Sequence, residues 1–91
     1  MPRYLIERDF SDPLNLPQND AGAEIVRNVV ETNAEDNVTW VHSYVTPDHK
    51  RTFCIYDAPS PEAVRRTAAR NKLPITHIWE VGVLTPYPYR A

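Results

Sequence analysis

Cysteine and long apolar runs are scarce in this sequence. The 91 residues include one cysteine, Cys54, which excludes a disulfide within the chain and favours a reducing compartment. No apolar run approaches the ~20 residues that a membrane-spanning helix needs. The N-terminal stretch MPRYLIERDF has no apolar region typical of a secretory signal peptide. We therefore expect a soluble cytoplasmic protein with no membrane partner.

Neither sign of charge is in large excess, and glycine is rare. Ten Lys and Arg residues against twelve Asp and Glu residues give a net charge of −2, which argues against nucleic acid as a partner. The two glycines, Gly22 and Gly82, are isolated, so the chain has no glycine-rich phosphate loop and we predict no organic cofactor. We expect one domain over residues 1–86 and a Pro/Tyr tail over residues 87–91. A domain of this size often needs a partner subunit, a metal or a disulfide for stability.

Hydrophobic periodicity and turn residues predict six elements. Alternating or apolar patterns predict strands, helical spacing and caps predict helices, and PDHK marks a hairpin turn. The predicted strands cover residues 3–9, 38–46, 51–57 and 75–84, and the helices run from Ala21 to about Asn33 and from Pro61 to before Pro74. The order β-α-β-β-α-β is typical of a ferredoxin-like α+β sandwich, with two helices on one face of a four-stranded antiparallel sheet.

The segment TWVHSYV, residues 39–45, places a histidine among aromatic residues. If Asp48 and His49 form the hairpin turn, Tyr44 lies opposite Phe53 and His42 lies opposite Ile55. Alternation along each strand then sorts the side chains into two faces. The side predicted to be free of helices holds Trp40, His42, Tyr44, Phe53, Ile55, Leu5, Glu7, Ile78, Glu80 and Leu84. The side predicted to lie under the helices holds Ser43, Cys54, Ile6, Trp79, Val81 and Val83.

The helix-free face of this prediction is too apolar to remain in contact with water. A contiguous apolar patch of that size marks an interface or a ligand groove. The usual solution in this fold is a dimer in which two sheets pack face to face, as in dimeric α/β barrels. We expect a homodimer through the open sheet face, with Glu7, His42 and Glu80 as its polar members.

Four segments together resemble a known family. MPRYLIERDF, VTWVHSYV, RTFCIYDAPSPEAVRR and PITHIWEV are similar to segments of small bacterial proteins long catalogued as a domain of unknown function. That family is typified by a nickel-responsive, nickel-binding member, and the resemblance covers residues 1 to about 86. It implies a ferredoxin-like homodimer and the binding of nickel or another divalent first-row metal.

His42 is the first candidate for site chemistry, and three roles stay open for it. A neutral imidazole with the carboxylates of Glu7 and Glu80 forms an N/O ligand set suited to a divalent metal ion. Alternatively, His42 donates a hydrogen bond to a carboxylate inside the dimer interface. In the third role it anchors a ligand or carries a proton.

The aromatic residues around His42 define an alternative function. Trp40, Tyr44 and Phe53 would line a cleft on the sheet face, which suits a small-molecule enzyme or a ligand-binding protein. A non-catalytic interaction module is the remaining alternative. No catalytic residue can be assigned from spacing, and the sequence favours a protein that is not an enzyme.

The remaining candidates have ordinary structural explanations. His49 belongs to an exposed turn, His77 lies near the start of the last strand, and Cys54 is expected to be a buried, unreactive thiol. The arginines of the second helix form a solvated surface. We expect Tyr87 and Tyr89 either to pack on a partner subunit or to belong to a disordered end.

Overall fold

The computed structural model describes residues 1–89. The elements are the strands β1 (Arg3–Asp9), β2 (Thr39–Val45), β3 (Arg51–Asp57) and β4 (His77–Val81), the helices α1 (Asp20–Ala34) and α2 (Pro61–Asn71), and a 3₁₀ turn at Tyr87–Tyr89. Residues 90 and 91, the end of the predicted tail, lie outside the described residues.

The four strands form one antiparallel sheet in the order β2-β3-β1-β4. β1 lies between β3 and β4, and β2 and β4 are the edge strands. Both helices pack on the same side of this sheet. The architecture is the predicted α+β arrangement, and its element order is consistent with a ferredoxin-like fold.

Each helix begins at a residue that caps it. The Asn19 side chain accepts a hydrogen bond from the Gly22 amide at 3.1 Å, and Ser60 Oγ accepts one from the Ala63 amide at 3.2 Å. Pro61 occupies the first turn of α2, where its missing N–H costs nothing. Lys72 ends α2 in a left-handed conformation with φ 57°. The capping residues and Pro61 explain why the predicted helix starts were correct.

The core lies between α2 and the middle of the sheet. Alternate residues of β1 and β3 face the helices and are buried, and Ala63 and Val64 of α2 pack against them. The buried apolar cluster consists of Tyr4, Ile6, Val38, Cys54, Tyr56, Ala58, Ala63 and Val64. In contrast, Ile25 and Val30 of α1 are each 48% exposed, so α1 packs less closely than α2.

The hairpin register is the predicted one near the turn and departs from it at Trp40. His42 lies opposite Ile55 and Tyr44 opposite Phe53, as expected, but Trp40 lies opposite Tyr56. The extra residue between them, Val41, forms a β-bulge, which reverses the alternation of side chains. The prediction that Trp40 shares a face with His42 is therefore wrong. Trp40 packs against the core, and its indole Nε1 donates to Ser43 Oγ at 2.9 Å.

The faces of β4 are the reverse of the prediction. Ile78 lies opposite the buried Ile6 and Glu80 opposite the buried Tyr4, so both belong to the helix side of the sheet. His77, Trp79 and Val81 are on the helix-free side. In the segment THIWEV, apolar residues occur at even positions (Ile78) and at odd positions (Trp79 and Val81). The pattern alone therefore does not decide which side of the strand faces the helices.

The last strand is also shorter than predicted. It ends at Val81, and the following Val83 and Leu84 are 72% and 84% exposed. Their assignments to the two sheet faces are therefore wrong, because the chain is no longer a strand at either position.

Candidate functional site on the open sheet face

The helix-free side of the sheet, named here the open face, is apolar in its middle and charged at both ends. Its side chains come from all four strands and form adjacent rows across the sheet. One central row consists of Tyr44, Phe53, Glu7 and His77. The other central row consists of His42, Ile55, Leu5 and Trp79. Tyr44 is 62% exposed and Trp79 is 46% exposed. Tyr44 was expected on this face from the sequence, whereas Trp79 was predicted to lie under the helices.

Glu7 is the best-enclosed carboxylate of the open face. Its side chain is 13% exposed, and its Oε1 lies 3.0 Å from His77 Nδ1. The Arg51 guanidinium lies 3.5 Å from the other oxygen of Glu7 and 2.7 Å from Asp9 Oδ1. Hydrogen bonds from Arg51 and Thr76 lower the pKa of Asp9. This edge of the face therefore holds an imidazole beside a charged carboxylate network.

His42 lies apart from Glu7 on this face. Its ring meets Tyr44 edge to face, with ring centroids 5.1 Å apart. β3 separates the two strands, and Phe53 and Ile55 occupy the intervening positions. The histidine that contacts Glu7 within one chain is therefore His77, which the sequence indicated to be structural or exposed.

Glu80 belongs to the opposite side of the sheet, which corrects the predicted grouping of Glu80 with Glu7 and His42. It lies beside Tyr4, whose pKa is raised by burial first and by the Glu80 charge second. Within residues 1–89, no group of three or more His, Cys, Asp or Glu side chains is placed to hold a metal ion. The roles of His42 and Glu7 as metal ligands stay predictions.

The predicted aromatic cleft is divided between the two sides of the sheet. Tyr44 and Phe53 are neighbours on the open face, and their role as cleft lining stays a prediction. Trp40 lies on the helix side, so it does not share a wall with them. The sequence did not predict the position of Trp40, because no residue type near Val41 indicates a β-bulge.

The other candidates occupy the predicted environments. His49 lies in the hairpin turn with φ 60°, and Cys54 is a buried free thiol on the helix side, 3.7 Å from Thr52 Oγ1. On α2, Arg66 and Arg70 form ion pairs with Asp36, which follows α1, at 3.2 and 2.6 Å. These arginines thus fasten the two helices together at the surface.

The fold and this face define a class of protein. It is a small α+β protein whose helices cover one side of an antiparallel sheet and leave a histidine–carboxylate pair on the other. The chain belongs to the family described as nickel responsive protein SCO4226-like, whose model matches residues 4–81.

A solved structure with the same fold is the crystal structure of SCO4226 from Streptomyces coelicolor A3(2). It superposes with a TM-score of 0.71 at 17% sequence identity, covering 91% of this chain and 99% of that one. At this identity the likeness is one of fold. No curated protein matches the chain.

Neither helix among the described residues is long and apolar enough to cross a membrane.

Proposed function

We propose that this protein is a cytoplasmic, nickel-binding homodimer whose two copies pack through their open faces and share the metal site. The observation that carries the proposal is the contact between Glu7 and His77 on an apolar sheet face that no helix covers. The family's description as nickel responsive supports the choice of metal.

The donor chemistry of the pair suits Ni²⁺. Imidazole nitrogen and carboxylate oxygen both bind divalent first-row metals, of which nickel is one. One chain offers these two donors in contact, and within residues 1–89 it places no third donor beside them. We propose that a second copy supplies the additional protein ligands as it covers the apolar face.

Symmetry indicates which residue the second copy supplies. In a closed dimer the same patch is used twice, related by a two-fold axis. If that axis is parallel to the strands, the order β2-β3-β1-β4 is reversed in the second copy, and its β2 lies across from β4. Packed sheets are ~10 Å apart, so long side chains from both copies meet between them. His42 of the second copy then lies across from Trp79 of the first, one row of side chains away from His77, and is the additional ligand that we propose.

The first experiment combines solution mass with elemental analysis of protein purified without tag or chelator. We expect a dimer that holds nickel in stoichiometric amount. His42→Ala, Glu7→Gln and His77→Ala should each abolish binding while leaving the fold intact. His49→Ala and Glu80→Gln are matched controls, because His49 lies in the turn and Glu80 on the helix side.

A mixed dimer tests whether the site is shared. One copy carries His42→Ala and the other carries His77→Ala, and the heterodimer is isolated with two different tags. If ligands come from different copies, one of its two sites retains every ligand, and half of the wild-type nickel content returns. If both histidines act within one copy, nickel stays absent. A metal-free dimer that gains no thermal stability from Ni²⁺ would overturn the metal proposal, and a monomer would overturn the interface.

A further inference from the structure

A second feature lies on the other side of the sheet, away from the proposed metal site. A cavity of about 160 Å³ separates α1 from the sheet. Ile25, Val26 and Val29 of α1 form one wall, and Trp40 and Cys54 form part of the opposite wall. The lining is almost wholly apolar. The cavity accounts for the loose packing of α1, whose buried residues are Gly22 and Asn33 alone.

One charged side chain lines this apolar cavity. Arg8 is 2% exposed, and its guanidinium donates to the Pro74 carbonyl at 2.8 Å and to the Tyr56 hydroxyl at 3.3 Å. Its Nε has no hydrogen-bond partner. The guanidinium carbon lies 5.7 Å from the Tyr56 ring centroid, which offers partial electrostatic compensation.

The other arginines of the sheet show what Arg8 lacks. Arg3 forms two hydrogen bonds with Asp57, and Arg51 pairs with Asp9 and Glu7. Both are much more exposed than Arg8. Within residues 1–89, no carboxylate forms an ion pair with Arg8. A buried cation without a counter-ion is costly, so this position favours an anion from outside the chain.

We propose that the cavity between α1 and the sheet binds a small apolar monocarboxylate. Because Arg8 Nε is itself buried, the guanidinium turns toward the cavity to donate to the carboxylate, and the apolar body packs between Val29 and Trp40. A planar guanidinium matches a carboxylate well. A cavity of about 150 Å³ accommodates benzene, so a body of roughly six carbons fits, as in benzoate.

The test follows the binding of benzoate by ¹H–¹⁵N NMR, with benzyl alcohol as an uncharged ligand of similar size. Benzoate should shift the Arg8 Nε–H and the Trp40 indole N–H and should bind about tenfold more tightly than benzyl alcohol, or better. Equal affinities for the two ligands would overturn the role of Arg8. Absence of any shift at either group at millimolar benzoate would overturn the site.

Two variants of α1 distinguish binding in the cavity from binding elsewhere on the helix. Val29→Phe fills the cavity and should abolish binding of both ligands. Val30→Phe makes the same change at the next residue, which is 48% exposed and does not line the cavity, so it should leave binding unchanged. If both variants bind benzoate as the wild type does, the ligand lies elsewhere.

Arg8→Met tests the charge. It should remove the preference for benzoate over benzyl alcohol while the Trp40 signal still responds to both. A retained preference for benzoate would contradict the proposal. Should this variant fail to fold, the comparison of Val29→Phe with Val30→Phe and of the two ligands on the wild type still decides the outcome.

Discussion

Glu7 and His77 occupy directly opposed positions on β1 and β4, and Glu7 Oε1 lies 3.0 Å from His77 Nδ1. The pair stands at the boundary between the apolar middle of the open face and the charged edge that Arg51 and Asp9 form. Because Glu7 is far less exposed than His77, the carboxylate is held in place and the imidazole faces outward. A ligand arriving from a second copy would meet the imidazole first.

Glu7→Gln should weaken Ni²⁺ binding by about 100-fold or more, because it removes the anionic donor of the pair at almost constant volume. Calorimetric titration with Ni²⁺ measures the effect. Glu80→Gln is the same substitution on the other side of the sheet and should leave the affinity unchanged. Equal losses in the two variants would indicate a general effect of charge and would contradict the proposed site.

Trp40→Phe should destabilise the fold by about 1–3 kcal/mol, since it removes the hydrogen bond to Ser43 and part of the packing against the core. Trp79→Phe should have little effect on the unfolding of one chain but should weaken the proposed dimer, because Trp79 lies on the open face. Urea unfolding and the concentration dependence of solution mass measure the two effects. Equal stability losses would contradict the division of the two indoles between the faces.

Gly22→Ala should destabilise the protein by about 1–3 kcal/mol, although alanine favours helices by about 1 kcal/mol over glycine. A Cβ at residue 22 would overlap the Pro17 carbonyl oxygen, which is backbone and cannot move aside easily. Gly82→Ala is the control, because within residues 1–89 no atom except those of its own chain neighbours lies within 4 Å of its added Cβ. Thermal unfolding of both variants checks this, and an unchanged midpoint for Gly22→Ala would refute the close approach.

Acid should destabilise the fold through Asp57. The Arg3 guanidinium lowers the pKa of this carboxyl through two hydrogen bonds, so the folded protein binds the proton more weakly than the unfolded chain does. The stabilisation is present above the unfolded pKa of about 3.9 and is lost as the pH falls through the lower folded value.

Urea midpoints at about pH 5 and about pH 2.5 measure the acid effect. Arg3→Met should be less stable than the wild type at the higher pH, and the difference should shrink at the lower pH. Asp9, whose pKa is also lowered, adds a loss of the same sign in both proteins. A difference that stays constant with pH would show that the Arg3 contribution does not depend on charge.

The sequence predicts those features of the structure that neighbouring residues determine. Capping residues determine the helix starts, and the turn between Thr46 and Arg51 determines the hairpin register from Val45 back to His42. These predictions are confirmed. The orientation of β4 depends on contacts with β1, which is far away in sequence. Because β4 has apolar residues at both odd and even positions, its pattern does not indicate which side faces the helices.

The same reasoning explains what was missed at the candidate sites. The pairing of Glu7 with His77 depends on the orientation of β4. The sequence predicted the opposite orientation, which grouped Glu80 with Glu7 in place of His77. Arg8 shares the alternation of Tyr4 and Ile6, which places it under the helices. Its missing counter-ion depends on how closely α1 approaches the sheet, and no local pattern encodes that separation.

The bulge at Val41 limits the pairing of β2 with strands of other chains. β2 is an edge strand, and a regular edge exposes unpaired amide and carbonyl groups that recruit other strands into aggregates. An extra residue interrupts that repeat, and the opposite edge, β4, is only five residues long. Both borders of the sheet thus resist extension by a neighbouring strand, which leaves the broad surface for the association that we propose.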